Sequence, residues 1–534
     1  MAPILTLSNE LLLDILDQLA PAAAAAAACP SIAARAALSL ESMRPPSPSL
    51  SSSPDDPRRA VARFRLVCRR FAAVAAAAQF RRVVVRFDAA ALRRLDQLAR
   101  RPHLARHATA LTYLTRAFYV DGDRDDLVRL LSAARASPAV CAEHHRRRDE
   151  QRRLLASGDD LDGLRRAVAA FPALQHVKIL RVQDELEREL LLAAARHDGR
   201  PLDGPPLRVL DWTPACRRAM HAVGAALLAT GAPRVARFSG PQLSAPAAVA
   251  LTRVPLAPLA VLAARLTCLE LHFDAARCVD GELRALTRVF GTLFRAAARL
   301  EALHLGFPSR LPVALALDEV FDGVCWARLR AWGIQAWRLH AHEIIAFARR
   351  HRRTLRGLRL RDVLLKDGSR WRDVLAVLRA DLPHLEWLSL RRIDYAAAFD
   401  EKWAHSADVS DAQSFPDNSD SDDDDDDVDN GSFFDGPHDA AHDDDDDSAS
   451  IGDESDGLSD HDADDGPRAH QLELRPDTAP SAPVLHHHQL PPFTNQWELL
   501  ASVSPDDLDD NGVSVEYRQR KIWEAWVVSK ANLP

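Results

Sequence analysis

His342-Glu343-Ile344-Ile345-Ala346 opens as the helical zinc site of a metalloprotease opens, with one imidazole to ligate and one carboxylate to act as general base. That chemistry needs a second imidazole one helical turn on, and the position is Ala346. Asp426 to Pro437 has a glycine at the sixth position, where a calcium-binding loop turns, but Val428 replaces the third-position ligand and Pro437 the closing glutamate. His486 to His488 lie in a proline-rich stretch, suited to weak adventitious metal binding and not to a formed site. No G-x-x-x-x-G-K-S/T, G-x-S-x-G or G-x-G-x-x-G occurs. The seven cysteines are odd in number and nowhere closer than ten apart, which fits neither a zinc cluster nor a disulfide framework and suits a reducing cytosolic or nuclear setting. No cofactor is called for. The chemistry these residues can do is recognition.

The charge pattern points the same way. A formal charge of -8, from 68 Lys+Arg and 76 Asp+Glu over 534 residues, averages two unlike parts. Asp408 to Asp465 holds 25 acidic residues and no lysine or arginine, leaving 51 acidic against 68 basic residues elsewhere, a balance of +17. Arginine outnumbers lysine 63 to 5 alongside heavy alanine use, a sign of coding bias. Basic clusters at His144 to Arg148 and Arg349 to Arg353 therefore read first as solvated helix faces, and nucleic-acid binding is disfavoured. The most apolar window, Ala245 to Ala264, is interrupted by Pro246, Arg253, Pro255 and Pro258, so no membrane span is expected. Glu10 and Asp14, without a basic flank, argue against a secretory signal.

The elements that would position recognition residues follow from periodicity. Leu11, Ile15 and Leu19, with Leu12 and Leu16 beside them, make an amphipathic helix that Ser8 or Thr6 can cap. A Ser/Pro-rich insert at about 21–57 lacks the apolar content to fold, and a second helix is expected from near Pro57 through Phe64, Val67, Cys68 and Phe71. Residues 1–80 thus form an all-α helical hairpin. From Arg81 to Tyr395 short apolar strands alternate with helical stretches. A pattern apolar-x-x-apolar-x-apolar recurs, as in Leu266/Leu269/Leu271, Leu300/Leu303/Leu305, Leu355/Leu358/Leu360 and Leu385/Leu388/Leu390, with a period near thirty. One copy, Leu207/Leu210/Trp212, stands 59 residues before the next, a gap that the weaker Val235/Phe238 would divide. Each repeat supplies a strand and a covering helix, such as Trp371, Val374, Leu375 and Leu378, and buries its apolar face only when neighbours stack. The reading is an α/β chain whose residues 81–395 form an irregular leucine-rich-repeat-like solenoid; an ordinary α/β sheet would use the same motifs. Residues 396–490 read as a disordered acidic linker. The aromatic segment 491–534 reads as folding back on the last repeats or as a partner-docking helix.

Leu7-Ser8-Asn9-Glu10-Leu11-Leu12-Leu13-Asp14-Ile15-Leu16-Asp17-Gln18-Leu19, followed by Arg65-Leu66-Val67-Cys68-Arg69-Arg70-Phe71, resembles an F-box, whose second block runs R-x-V-C-R/K-x-F/W. Ser8 stands where the family usually has proline, and the insert is far longer than usual. Loop closure grows only with the logarithm of length, about 0.6 kcal/mol per doubling, so the insert costs little. His103 to Tyr119 and Phe171 to Leu180 also look like segments of filamentous-fungal F-box proteins with irregular leucine-rich repeats. The resemblance implies a non-catalytic subunit of a Skp-cullin-F-box ubiquitin ligase that docks on the Skp adaptor and, through it, on cullin, while the repeats capture an unknown protein substrate. Carried over by position, Leu7, Ser8, Leu11, Leu12, Ile15, Leu16, Leu19, Leu66, Val67, Cys68 and Phe71 would meet the adaptor. His272, His304, Arg359 and Arg391 flank strands and would project onto the substrate face. A scaffold acting outside a full ligase, or a basic nucleic-acid binder, remains the alternative. The acidic stretch, by its charge, is expected to compete for the basic body.

Overall fold

The computed structural model describes residues 7–19, 57–120, 124–133, 136–190, 209–231, 234–244, 256–274, 280–307, 312–399 and 503–529. They belong to one of the chain's two units; the other, Ser414–Leu490, with its aspartate runs, lies outside them, as do the insert before Pro57 and the histidine run at His486 to His488.

Among the described residues four short helices, not two, make the first part. Helix α1 (Asn9–Leu19) starts where Leu11 N donates to Ser8 Oγ at 3.3 Å. Helix α2 (Pro57–Arg65) stops before the cysteine, because Cys68 is extended (φ -161) and its Sγ accepts from Phe71 N at 3.5 Å, capping a new helix α3 (Arg69–Val74); α4 (Ala76–Phe80) follows. The apolar spacing 64, 67, 68, 71 suits one helix, but a capping side chain that satisfies an orphan N–H competes with continuation.

The body is mixed α/β around a ten-stranded sheet. Its strands are β1 (Arg82–Arg86), β2 (Ala110–Thr115), β4 (His176–Arg181), β6 (Arg237–Ser244), β7 (Cys268–Asp274), β8 (Ala302–Gly306), β9 (Ala331–Leu339), β10 (Gly357–Leu365), β11 (Trp387–Arg391) and β12 (Asp394–Tyr395). The first nine lie side by side in chain order, every pair parallel, and β12 pairs with β10. The apolar repeat sets the register: Leu269, Leu303, Trp332, Leu358 and Leu388 stand opposite one another across β7 to β11 and are buried. The weaker Val235/Phe238 copy supplies β6. The Leu207 copy does not enter this sheet: β5 (Leu210–Asp211) pairs antiparallel with β3 (Phe118–Tyr119), and Trp212 begins a helix because the Asp211 carboxylate caps it through Thr213 N at 2.8 Å.

Parallel neighbours require crossovers. Among the described residues the helices of five or more residues that make them include α5 (Ala89–Ala99), α6 (Arg124–Ala133), α7 (Pro138–Ser157), α8 (Asp159–Ala170), α9 (Trp212–Thr230), α10 (Leu256–Ala263), α11 (Asp280–Ala296), α12 (Leu317–Phe321), α13 (Ala341–Arg350) and α14 (Trp371–Asp381). Consecutive ones touch from α8 onward, and Trp371, Val374, Leu375 and Leu378 are all fully buried under α14. One buried ion pair ties this layer together: Asp160 of α8, 0 % exposed, accepts from Arg218 Nε and Nη2 of α9 at 2.9 and 2.6 Å. Arg218→Ala leaves that carboxylate uncompensated and is expected to cost about 3–5 kcal/mol. Replacing both partners by apolar residues should recover most of it, and urea unfolding of the two variants measures the difference.

Residues 396–399 continue as helix past the last strand, with Ala398 buried. The chain returns at Val503, and α15 (Tyr517–Val528) lies against β11 and α14, burying Trp523 and Trp526. β11 is a terminal strand with an open hydrogen-bonding edge, a site of unwanted pairing unless covered. Glu524 Oε1 accepts from Leu390 N there, and Asp510 Oδ2 accepts from Arg372 N at 2.8 Å. No described helix is long and apolar enough to cross a membrane.

Candidate functional site

Two surfaces gather the residues singled out by sequence. In the helical part, Leu12, Leu16, Val61, Phe64, Phe71 and Ala75 form a closed core, with Phe64 and Phe71 stacked at 4.5 Å between ring centroids. Leu7, Ile15 and Cys68 are half-buried against it. Leu11 is 49 % exposed, Val67 58 % and Leu66 85 %. Ser8 is exposed and capping; Leu19 ends α1, and its side chain lies outside the described residues. Most members of the Arg65 to Phe71 block therefore have a task of their own. Arg65 donates to Ala72 O and Gln79 Oε1 and covers the Phe80 ring at 4.7 Å, Cys68 breaks and caps, Phe71 fills the core, and Leu66 and Val67 face outward. Sequence reasoning missed Arg70, which donates through Nε and Nη2 to Asn9 Oδ1 at 3.0 and 2.9 Å and closes the α1–α3 contact. It also passed over Leu13, exposed on α1.

The second surface is the sheet face away from the aliphatic core. Alternation puts His272, His304, Arg359 and Arg391 on it, together with Lys178, Arg237, Glu270 and Arg361. Depth is what alternation does not give. Arg359 is 2 % exposed, and His272, His304 and Glu270 are buried, while Arg391 is half-buried. Glycine makes that depth possible. His272 lies over Gly306, where an added Cβ would stand 2.8 Å from its Nδ1; His304 lies over Gly333 in the same way, and the Trp387 indole lies over Gly357. The two imidazoles pack at 5.0 Å, and the Arg359 guanidinium stands 5.6 Å from the Trp387 ring. Gly357→Ala would drive a methyl into the indole and is expected to cost about 1–3 kcal/mol, read as a lower melting temperature.

Burial, then the neighbouring Arg361, lowers His272 to about 4, and burial with His272, Arg359 and Arg361 holds His304 well below the usual imidazole range. Both are neutral at pH 7. Burial raises Glu270. The positive charge of this face is therefore carried by Lys178 and the arginines.

The remaining motifs resolve into structure. Glu343 Oε1 accepts from His340 N at 2.9 Å and Oε2 from Leu317 N at 3.0 Å, so the glutamate of the protease-like pair caps α13 and ties it to α12, while His342 stacks on His340 at 5.4 Å between ring centroids. In the basic clusters, Arg147 pairs with Glu143 and Asp184, both at 2.8 Å, Arg349 with Asp381 at 2.7 Å and Arg350 with Asp318 at 3.0 Å. Among the described residues no group of three or more His, Cys, Asp or Glu could hold a metal ion. No family model matches the chain, and no curated protein matches it.

Proposed function

We propose that the chain is the substrate-recognition subunit of a Skp-cullin-F-box ubiquitin ligase. It docks on the Skp adaptor through α1 to α3 and holds a target protein with the repeat body. The observation that carries this reading is the division within the small helical part. Its core is already complete with Leu12, Leu16, Phe64 and Phe71, yet Leu11, Leu66 and Val67 stay in water. An apolar side chain gains about 1.5–3 kcal/mol when fully buried, so these three have most to gain from a partner. Parallel strands in chain order with helices between them, at a period near thirty from β6 to β11, support reading the body as an irregular leucine-rich-repeat-like solenoid.

The receptor does no chemistry itself. It fixes a target near the ligase's transfer site, and proximity supplies the rate advantage. The test is capture of purified Skp adaptor, then of the adaptor with cullin, by the tagged full chain. Failure to bind the adaptor overturns the proposal; binding of the adaptor without cullin favours the smaller complex over a full ligase.

A further inference from the structure

The turns that lead from helix to strand form a ladder of their own. Ala264-Arg265-Leu266, Ala298-Arg299-Leu300 and Ala327-Arg328-Leu329 repeat one tripeptide, and each closes a tight turn: Leu266 N donates to Ala263 O at 3.0 Å, Leu300 N to Ala297 O at 3.1 Å and Leu329 N to Trp326 O at 3.2 Å. The leucines are buried, whereas Arg299 and Arg328 are exposed and Arg265 is half-buried. Each arginine stands three residues before a registered position (Cys268, Ala302, Ala331), so the three fall in one row at the end of the body where β7, β8 and β9 begin. Arg234 holds the same place before Arg237 of β6, and His384 before Trp387 of β11; before β10 the place goes to Thr354, with Arg352 and Arg353 exposed beside it. Backbone hydrogen bonds carry the register towards this row: Thr267 O, Glu301 O, Arg330 O and Arg356 O each accept two N–H groups from the next strand's approach.

Other surface arginines of the repeat body meet carboxylates, as Arg349 does at Asp381, Arg350 at Asp318 and Arg356 at Glu386. Along this end the pairing stops. Arg234, Arg299, Arg328, Arg330, Arg352 and Arg353 are all exposed, and among the described residues none of them makes an ion pair or a side-chain hydrogen bond. Like charges in register on neighbouring strands repel, so the row works against the fold and calls for a counter-charge from outside. We propose that this row of turns binds the acidic face of a helix in a partner protein, its carboxylates pairing with the guanidiniums of Arg299, Arg328 and their neighbours. The proposal rests on the receptor reading only for the partner's role as captured substrate. Spacing selects a helix. Neighbouring strands lie about 4.7–4.9 Å apart, and carboxylates three and four residues apart on a helix are separated by a rise of about 4.5–6 Å, whereas same-side positions of an extended segment stand about 6.6–6.8 Å apart. A single nucleic-acid strand would want exposed rings to stack on, and the one aromatic residue in 263–267, 297–301, 326–330, 351–356 and 382–386 is Trp326, which is buried. Glu301 and Glu386, two residues beyond the row, would also interrupt a continuous phosphate track.

The experiment is fluorescence anisotropy with the full chain and a labelled alanine-rich helical peptide carrying glutamates at i, i+3, i+4 and i+7. Beside it stand a glutamine version, the glutamate version with two central prolines, and a single-stranded oligonucleotide of equal length. The acidic helix should bind, and more weakly as salt rises. The glutamine peptide should not bind, and the proline peptide should bind several-fold more weakly. Arg299→Glu with Arg328→Glu should weaken binding by about tenfold or more at an unchanged melting temperature, both side chains being exposed and unpaired. Arg93→Glu with Arg94→Glu, exposed on α5 and equal in net charge, should leave it nearly unchanged. Arg328→Glu alone, which should still weaken binding, keeps the test valid if the double variant unfolds. No binding, equal loss in the α5 variant, equal affinity for the proline peptide, or tighter binding of the oligonucleotide overturns the proposal. So does binding that appears only when the acids between Asp408 and Asp465 are changed to amides, which would assign the row to this chain's own acidic stretch. Adaptor capture is measured separately, so failure here leaves the receptor reading intact, and the reverse.

Discussion

Leu66→Asp together with Val67→Asp is expected to abolish capture of the Skp adaptor while leaving the melting temperature within a degree or two of the parent. Both side chains are in water in the free protein, so a polar replacement removes almost no folding contact, and surface changes of this kind usually stay within about 0.5 kcal/mol. On docking each would be buried. Losing two such residues, and burying charge in their place, removes roughly 3–6 kcal/mol of binding free energy, more than a hundredfold in Kd. Leu12→Asp should behave differently. Leu12 is fully buried beside Leu16 and Phe71, so an unpaired carboxylate there costs several kcal/mol and opens the helical part itself. The same loss of adaptor binding would then come with increased proteolysis near α1. If the double variant at Leu66 and Val67 binds the adaptor as well as the parent does, docking does not run through this surface.

That contrast shows what periodicity carries and what it omits. Leu11 and Leu12 are neighbours with the same chemistry, and spacing marks both as apolar helix positions; only the packed position of α3 decides that one is core and the other surface. The register of β7 to β11 was legible because a leucine every second residue, repeated near a period of thirty, has one parallel solution that buries all of it. The break at Cys68 was not, since a thiol that caps a helix occupies a position an apolar stripe also accepts. The Leu207 copy failed for a related reason: Asp211 at an N-cap outweighs two residues of strand pattern. Orientation of His272, His304, Arg359 and Arg391 could be read from alternation, but their depth depends on Gly306, Gly333 and Gly357 of adjacent strands, which come into register only through the fold.

Depth has a consequence for acid stability, and it is expected to be large. Burial lowers the pKa of His144, His176, His272, His304 and His351, with His272 and His351 at about 4. In the unfolded chain each takes a proton near 6.5. The unfolded state therefore binds more protons as pH falls from 6.5 towards 4, and stability falls with it; above 6.5 these groups contribute no slope. Two buried carboxyls act in the opposite sense. Glu187, raised to about 7 by burial and by Asp184 against Arg116 and Arg147, and Glu270, raised by burial, stabilise the fold as pH drops. Five imidazoles against two carboxyls leave a net uptake of protons on unfolding, so stability falls as the pH drops below 6.5. His351 makes the cause concrete. Its Nδ1 donates to Phe347 O at 3.0 Å and its Nε2 accepts from Trp326 N at 3.1 Å, so a proton on Nε2 would face an N–H donor inside the core. Urea midpoints measured from pH 7.5 to 5 should drop steeply below 6.5. His351→Gln, whose amide can still donate and accept, should lower the plateau and flatten the fall; a midpoint that stays level to pH 5 would mean that the buried imidazoles are protonated in the native state.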